Sequence, residues 1–374
     1  MRTVSCHFPT QLAQTSLPLT SASLASLPPF CPVLSRIATV HKTGLGSSAA
    51  MITSLTGALL HHLGALTLPP LIPSSAPTSA STRSLTIVHN VAQFCHCLAQ
   101  GKIGSGFDVS AAVHGTHVYR RFAPRVLEGL MPRAADPLAG GEIYKVVEPA
   151  NVEWDGEVRP FALPPSFHLL LADIDAGSST PKLVSQVLSW RAREPFEAKQ
   201  LWARLDSSNT AVANAFTRLS GLAVSHAAEY AAVVAQCAKL VAPWHHVTVG
   251  DEERPILQAL KELHHAFLTV RACMRELSTK ANVPIEPEEQ TRLLNACMAV
   301  PGVIMAGVPG AGGMDAIFCI TLEEGARLAV EAAWSGWKEM SAGPLLARQS
   351  SGGLGVVDER SAEAVDVARA VRQR

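Results

Sequence analysis

The sequence predicts an α+β protein. Segments with a helical period and segments with strand alternation share one chain, but they do not alternate as regular βαβ units. Its 374 residues suffice for two domains of ordinary size. No run of roughly 18 or more apolar residues escapes polar interruption, so no membrane span is read.

Residues 1–35 are rich in Ser, Pro, Leu and Thr and carry no dependable period. They read as an irregular or disordered segment, or as a short targeting segment because they lack acids. From Ser47 to Leu63 the apolar residues Ala49, Ala50, Ile52, Leu55, Leu59 and Leu63 recur near helical spacing, and Gly64 is placed as a stop. Residues 67–84 are a Pro/Ser loop, and 85–99 are helical again. Residues 116–122 (THVYRRF) and 142–148 (EIYKVVE) alternate as strands do. The apolar run at 167–172 suits a buried strand.

Helices are predicted at about 180–193, 196–220, 224–241, 254–281 and 285–300, the last opened by Pro287, Glu288 and Glu289. Strands at 302–308 and 315–321 flank a glycine-rich turn, and a long helix follows at 323–338. The organisation read from this is a 1–35 leader, an amino-terminal domain over 36–165 and a carboxy-terminal domain over 166–374.

Composition narrows the function classes. The formal net charge is +0, with no Lys/Arg stripe, which argues against a nucleic-acid partner held through phosphate neutralisation. The eight cysteines are scattered and form no CxxC pair, so neither a zinc site nor a disulfide framework is read, and a reduced cytoplasmic setting fits. No Asp or Glu precedes Asp108, whereas Arg2, Arg36, Lys42, Arg83 and Lys102 do. Any acidic metal ligand therefore comes from Asp108 or later.

Four segments carry chemistry. In His41-Lys42-Thr43-Gly44-Leu45-Gly46-Ser47-Ser48-Ala49-Ala50, glycines, hydroxyls and a helix start suit phosphate, because a helix N-terminus offers unpaired N–H groups and a positive dipole end. The plainer reading is a Gly-Ser turn with a Ser cap. In Gly101-Lys102-Ile103-Gly104-Ser105-Gly106-Phe107-Asp108, a glycine-lined loop presents the first carboxylate, placed to take or orient a substrate proton. The plainer reading makes Asp108 the N-cap of the helix Val109–His114.

Gly307 to Asp315 is a glycine-rich turn between strands, costly in chain entropy unless something approaches its backbone. Asp175 to Lys182 offers hydroxyls ahead of Pro181. Arg271 and Arg275 share a helix face and could clamp a phosphate, or simply be solvated. The pairs His245-His246 and His264-His265 lack partners at metal spacing and read as surface or capping residues.

These segments resemble one family. KTGLGSSAA is similar to the second motif of GHMP kinases and GVPGAGGMDAIF to the third. GKIGSGFDVSAAVHGTHVYRRF resembles the catalytic-aspartate segment of the phosphomevalonate kinase family, with GSSTPKLVSQVLSW and IEPEEQTRLL in support. The resemblance runs from about Val40 to about Gly325. It implies an amino-terminal domain like ribosomal protein S5 domain 2, incomplete here, and a ferredoxin-like carboxy-terminal domain, with ATP and substrate between them. The reaction it implies is ATP plus 5-phosphomevalonate giving ADP plus 5-diphosphomevalonate, with Mg²⁺.

By resemblance, Lys42, Gly44, Leu45, Gly46, Ser47, Ser48 and Ala49 hold the ATP phosphates, and Ser48 touches Mg²⁺. Asp108 orients or deprotonates the acceptor. Lys102, Ser105 and Gly106 line the same cavity, with Ser178, Ser179, Arg271 and Arg275 as further substrate contacts. Gly310, Ala311, Gly312 and Gly313 close the site.

The sequence departs from the family at its start. GHMP kinases open with a motif like P-G-K-V that supplies a lysine beside the aspartate. Residues 1–35 contain no lysine. The expectation is a fragment with an unpaired sheet edge and weak or no activity. The alternatives are an inactive binding protein and a GHMP kinase with another acceptor.

Overall fold

The structure is a computed structural model that describes residues 12, 16–27, 46–71, 78–133, 136, 140–174, 180–310, 312–313, 316–346, 349 and 352–357. The chain divides into two compact units. Of the described residues, the first unit takes 46–162, within the limits above, and the returning segment from Gln349. The second takes 163–346 together with Leu12 and residues 16–27.

In the first unit, three helices meet at small side chains. They are α1 (Ser47–His62), α2 (Ser79–Gln100) and α3 (Phe107–His114). Ala49, Ala92 and Val109, one from each, form a fully buried contact with Ile52 packed against it. Strand β1 (His117–Arg120) follows α3. Next come a helical turn at Arg125–Glu128, helix α4 (Gly140–Val147) and strand β2 (Glu157–Pro160). β1 and β2 pair antiparallel, His117 opposite Pro160 and Arg120 opposite Glu157.

One expectation fails in this unit. Residues 142–148 are not a strand: 142–147 belong to α4. Ile143, Val146 and Val147 sit at helical spacing and pack on Phe94, Phe122 and Leu127, while the Val147 carbonyl accepts the Asn90 amide at 3.1 Å. Their β-branched content imitated strand alternation. In α1 the buried face is not the leucine face. Thr53, Thr56 and Gly57 are buried, whereas Met51, Leu55 and Leu59 are 67%, 52% and 51% exposed. Apolar and small hydroxyl residues are spread around the helix, so periodicity alone does not choose a face.

The second unit holds a four-stranded antiparallel sheet in the order β4–β5–β3–β6, from β3 (His168–Ile174), β4 (Val303–Gly307), β5 (Ala316–Thr321) and β6 (Ala342–Leu345). Leu169 lies opposite Ile320 and Ala172 opposite both Ile317 and Pro344. Between β3 and β4 run α5 (Thr180–Arg193), α6 (Pro195–Ser225), α7 (Ala227–Cys237), α8 (Arg254–Ala281) and α9 (Glu288–Met298), and α10 (Ala326–Gly336) precedes β6. Reduced to layers this is β-α-β-β-α-β, the ferredoxin-like order. The core joins Leu170, Ala172 and Ile317 of the sheet to Leu293, Leu294, Val330 and Trp334 of the helices.

His264, expected at the surface or in a cap, is instead buried, bonded through Nδ1 to the Ile304 carbonyl at 2.9 Å. Part of the expected irregular leader is helical. Ser21–Ser26 is capped by the Thr20 hydroxyl, which accepts the Ser23 N–H, and its Leu24 is buried with Leu12. No helix among the described residues is long and apolar enough to cross a membrane.

A histidine cluster ties α2, α3 and β1 together. The His89 and His114 rings are 5.9 Å apart, as are those of His114 and His117. Burial, with His89 and His117 nearby, pushes the His114 imidazole down to about 3. Burial lowers His89 as well. Below the unfolded value of 6.5 the unfolded chain takes up a proton that the folded chain refuses. Stability is therefore full above that pH and declines as pH falls toward the folded value. At pH 5, His114 alone is expected to cost about 2 kcal/mol. Urea midpoints at pH 7 and pH 5 measure this, and His114→Gln should narrow the gap.

Candidate active site

The alanine–alanine–valine meeting point places three polar side chains. Ser48 precedes Ala49, His96 follows Ala92 by one turn, and Asp108 precedes Val109. His96 Nε2 lies 3.2 Å from Ser48 Oγ and 4.0 Å from Asp108 Oδ2. The Gln100 amide nitrogen donates to the same Nε2 at 2.9 Å.

Both helices that carry Ser48 and Asp108 begin at a left-handed glycine. Gly46 caps α1 at φ +79°, and a Cβ built there would stand 3.2 Å from Asp108 Cβ. The first α1 amide with an intrahelical acceptor is Ala50, bonded to the Gly46 carbonyl at 3.0 Å. The amides of Ser47, Ser48 and Ala49 thus face past the helix end. No acid occupies that first turn, so its positive end keeps its attraction for an anion.

Gly106, at φ +81°, is the N-cap of α3, so Asp108 is not the cap that the plainer reading made it. Asp108 lies in the first turn, where Oδ1 accepts the Val109 N–H at 3.0 Å and Oδ2 points toward His96. Lys102 and Ser105 are exposed on the loop before it. That loop is held from β1: the Tyr119 hydroxyl donates to the Ser105 carbonyl at 2.8 Å, and Arg121 donates to the carbonyls of Ile103 and Gly104. Burial pushes the Tyr119 phenol up to about 12, which keeps its donor proton in place.

In the second unit, the Gly313 N–H donates to the Ile285 carbonyl at 2.8 Å and Gly312 lies against the same carbonyl. The neighbouring Glu286 is buried and binds both arginines. Arg271 gives it two bonds, at 3.2 and 2.6 Å, and Arg275 one at 3.3 Å. Arg271 also donates to Asn295, and its side chain is only 4% exposed. This corrects the expected pair of phosphate-facing guanidiniums: Arg271 is spent on a buried ion pair, and only Arg275 reaches solvent. Removing one partner of a buried pair strands the other charge, so Glu286→Ala is expected to lose about 3–5 kcal/mol in a urea titration.

Lys42, Gly44, Leu45, Ser178, Ser179 and Ala311 lie outside the described residues. Of the other expected site residues, Gly46, Ser47, Ser48, Ala49, Gly106 and Asp108 come together. Sequence reasoning missed His96 as a member of this group. The available signal was its position one turn before Gln100, on the helix that runs into the glycine loop.

Among solved structures, a Lin0012 protein from Listeria innocua shares the fold, with a TM-score of 0.51 at 18% identity over 83% of this chain and 70% of that one. No family model matches the chain. A peroxisomal phosphomevalonate kinase of Arabidopsis thaliana is 39% identical over 359 residues, 92% of this chain and 68% of that protein. Phosphomevalonate kinases of Aspergillus fumigatus and Candida albicans are 36% and 35% identical, over 75% and 77% of this chain. The chain spans 51% and 58% of those fungal proteins, so it covers from half to two thirds of its relatives' length. The chain belongs to the phosphomevalonate kinase family, the ATP-dependent kinases of the mevalonate pathway to isoprenoids and sterols.

Proposed function

We propose that this chain itself transfers the γ-phosphoryl group of ATP to 5-phosphomevalonate at the junction of α1 and α3. The observation that carries this is the close seat of Gly46 against Asp108, where a Cβ built on the glycine would stand 3.2 Å from the Asp108 Cβ. It sets the N-terminus of α1, whose own first turn carries no acid, beside a carboxylate. An acceptor phosphate oxygen attacks the γ-phosphorus, the bond to the β,γ-bridging oxygen breaks, and ADP leaves. Phosphoryl transfer asks mainly for positioning and charge neutralisation. The Ser47–Ala49 amides supply donors, and by family resemblance Lys42, Gly44 and Leu45 also serve the nucleotide phosphates. Asp108 orients the acceptor more than it deprotonates it, because a phosphate monoester with a second pKa of about 6 is already largely ionised at neutral pH. Lys102, Ser105 and Gly106 line the acceptor side. Ser178, Ser179, Arg275 and the turn Gly310–Gly313 are further candidate contacts.

Mg²⁺ fits the donors present. Ser48 and Asp108 offer hard oxygens, and no cluster of three or more His, Cys, Asp or Glu among the described residues could hold a metal alone. Magnesium bound chiefly by nucleotide phosphates needs just one or two protein oxygens. When bound, it neutralises phosphate charge. Cys95, Cys97, Cys237, Cys273, Cys297 and Cys319 are unbridged, which suits a reducing compartment such as the cytoplasm.

A coupled ADP-release assay with 5-phosphomevalonate, mevalonate and a sugar panel tests the reading. ADP release that depends on 5-phosphomevalonate is expected. Strong preference for another acceptor would overturn it. So would calorimetric ATP·Mg²⁺ binding with no turnover, the signature of an inactive binding protein.

A further inference from the structure

We propose that His96 is a positioning residue that fixes the Ser48 hydroxyl. This rests on the kinase reading of the site. The His96 side chain is 9% exposed, and its Nε2 stands between groups from all three helices. The Gln100 amide nitrogen donates to that Nε2, so Nε2 is an acceptor and the ring proton sits on Nδ1. The Ser48 hydroxyl, 3.2 Å away, then donates its hydrogen into the same lone pair, which it shares with the amide. A serine whose hydrogen is drawn back toward α2 turns its oxygen lone pairs outward, past the helix end.

An oxygen that must meet a nucleotide-bound cation needs that orientation. Without His96 the hydroxyl rotates freely and its lone pairs lose their fixed direction. The buried contact of Ala49, Ala92 and Val109 keeps the arrangement in register. Outer partners of metal-facing groups typically contribute about 10–100-fold in affinity or activity.

The test is a double-mutant cycle on the full chain, with ATP affinity read by calorimetry in the presence and absence of Mg²⁺. His96→Ala and Ser48→Ala are each expected to weaken ATP·Mg²⁺ binding by about tenfold. The double variant should be no weaker than Ser48→Ala within about twofold, since the histidine acts through the serine. Affinity for ATP without Mg²⁺ should not move in His96→Ala. His96→Gln, which keeps an acceptor, should recover most of the loss, and thermal unfolding of each variant confirms the fold. Additive losses, or a His96→Ala affinity equal to the parent chain's, would overturn the inference and leave the kinase reading standing. A parent chain that binds no ATP·Mg²⁺ would overturn both.

Discussion

Asp108→Asn is expected to lower kcat by about 10²–10⁴-fold with a small change in the KM for ATP, the range for a positioned acid–base or orienting group. Asparagine keeps the size of the side chain and an oxygen able to accept the Val109 N–H, the bond Asp108 makes at 3.0 Å. What it removes is charge, facing the acceptor on one side and His96 on the other. The stability cost is confined to the dipole of α3, about 0.3–1 kcal/mol. Steady-state kinetics beside a urea titration separates the two effects. Activity within threefold of the parent would reduce Asp108 to a first-turn helix residue.

Gly106→Ala is expected to lose both stability and activity. Glycine is required here twice over. Its φ of +81° costs an L residue about 1–2 kcal/mol. A Cβ would also stand 2.7 Å from Gln93 Oε1, 2.9 Å from Phe122 Cε1 and 2.9 Å from the Tyr119 hydroxyl. Phe122 is buried in the core under α2, so it cannot swing aside. Overpacking of this kind adds about 1–3 kcal/mol. A combined loss of about 3–4 kcal/mol is a large part of a domain's usual stability. The same displacement moves the start of α3 and hence Asp108, so activity should fall even in the fraction that stays folded. Gly104→Ala is the control, because nothing lies within 4 Å of its Cβ position. A Gly106→Ala chain with the parent's urea midpoint would show that the loop relaxes without cost.

What the sequence made legible was local. Glycine, hydroxyl and helix period marked the start of α1, and Pro287 with Glu288 and Glu289 marked α9, because such signals act over a few residues. Long-range pairing was hidden. The spacing of Arg271 and Arg275 gave them one face but did not reveal that Glu286, fifteen residues on from Arg271, would occupy it. The position of His96 one turn before Gln100 was readable, but its role depends on Ala92 being small enough for α1 and α3 to close on α2. Residues 142–148 misled through β-branched side chains that fit either period. In α1 the leucines gave the helical period but did not say which side is covered.

The most direct measurement is a crystal structure of the chain with Mg²⁺ and a non-hydrolysable ATP analogue. The account predicts the β- and γ-phosphates within hydrogen-bond distance of the Ser47, Ser48 and Ala49 amides, with the terminal phosphate on the side of Asp108. Nucleotide phosphates seated elsewhere, with those three amides left to water, would contradict it.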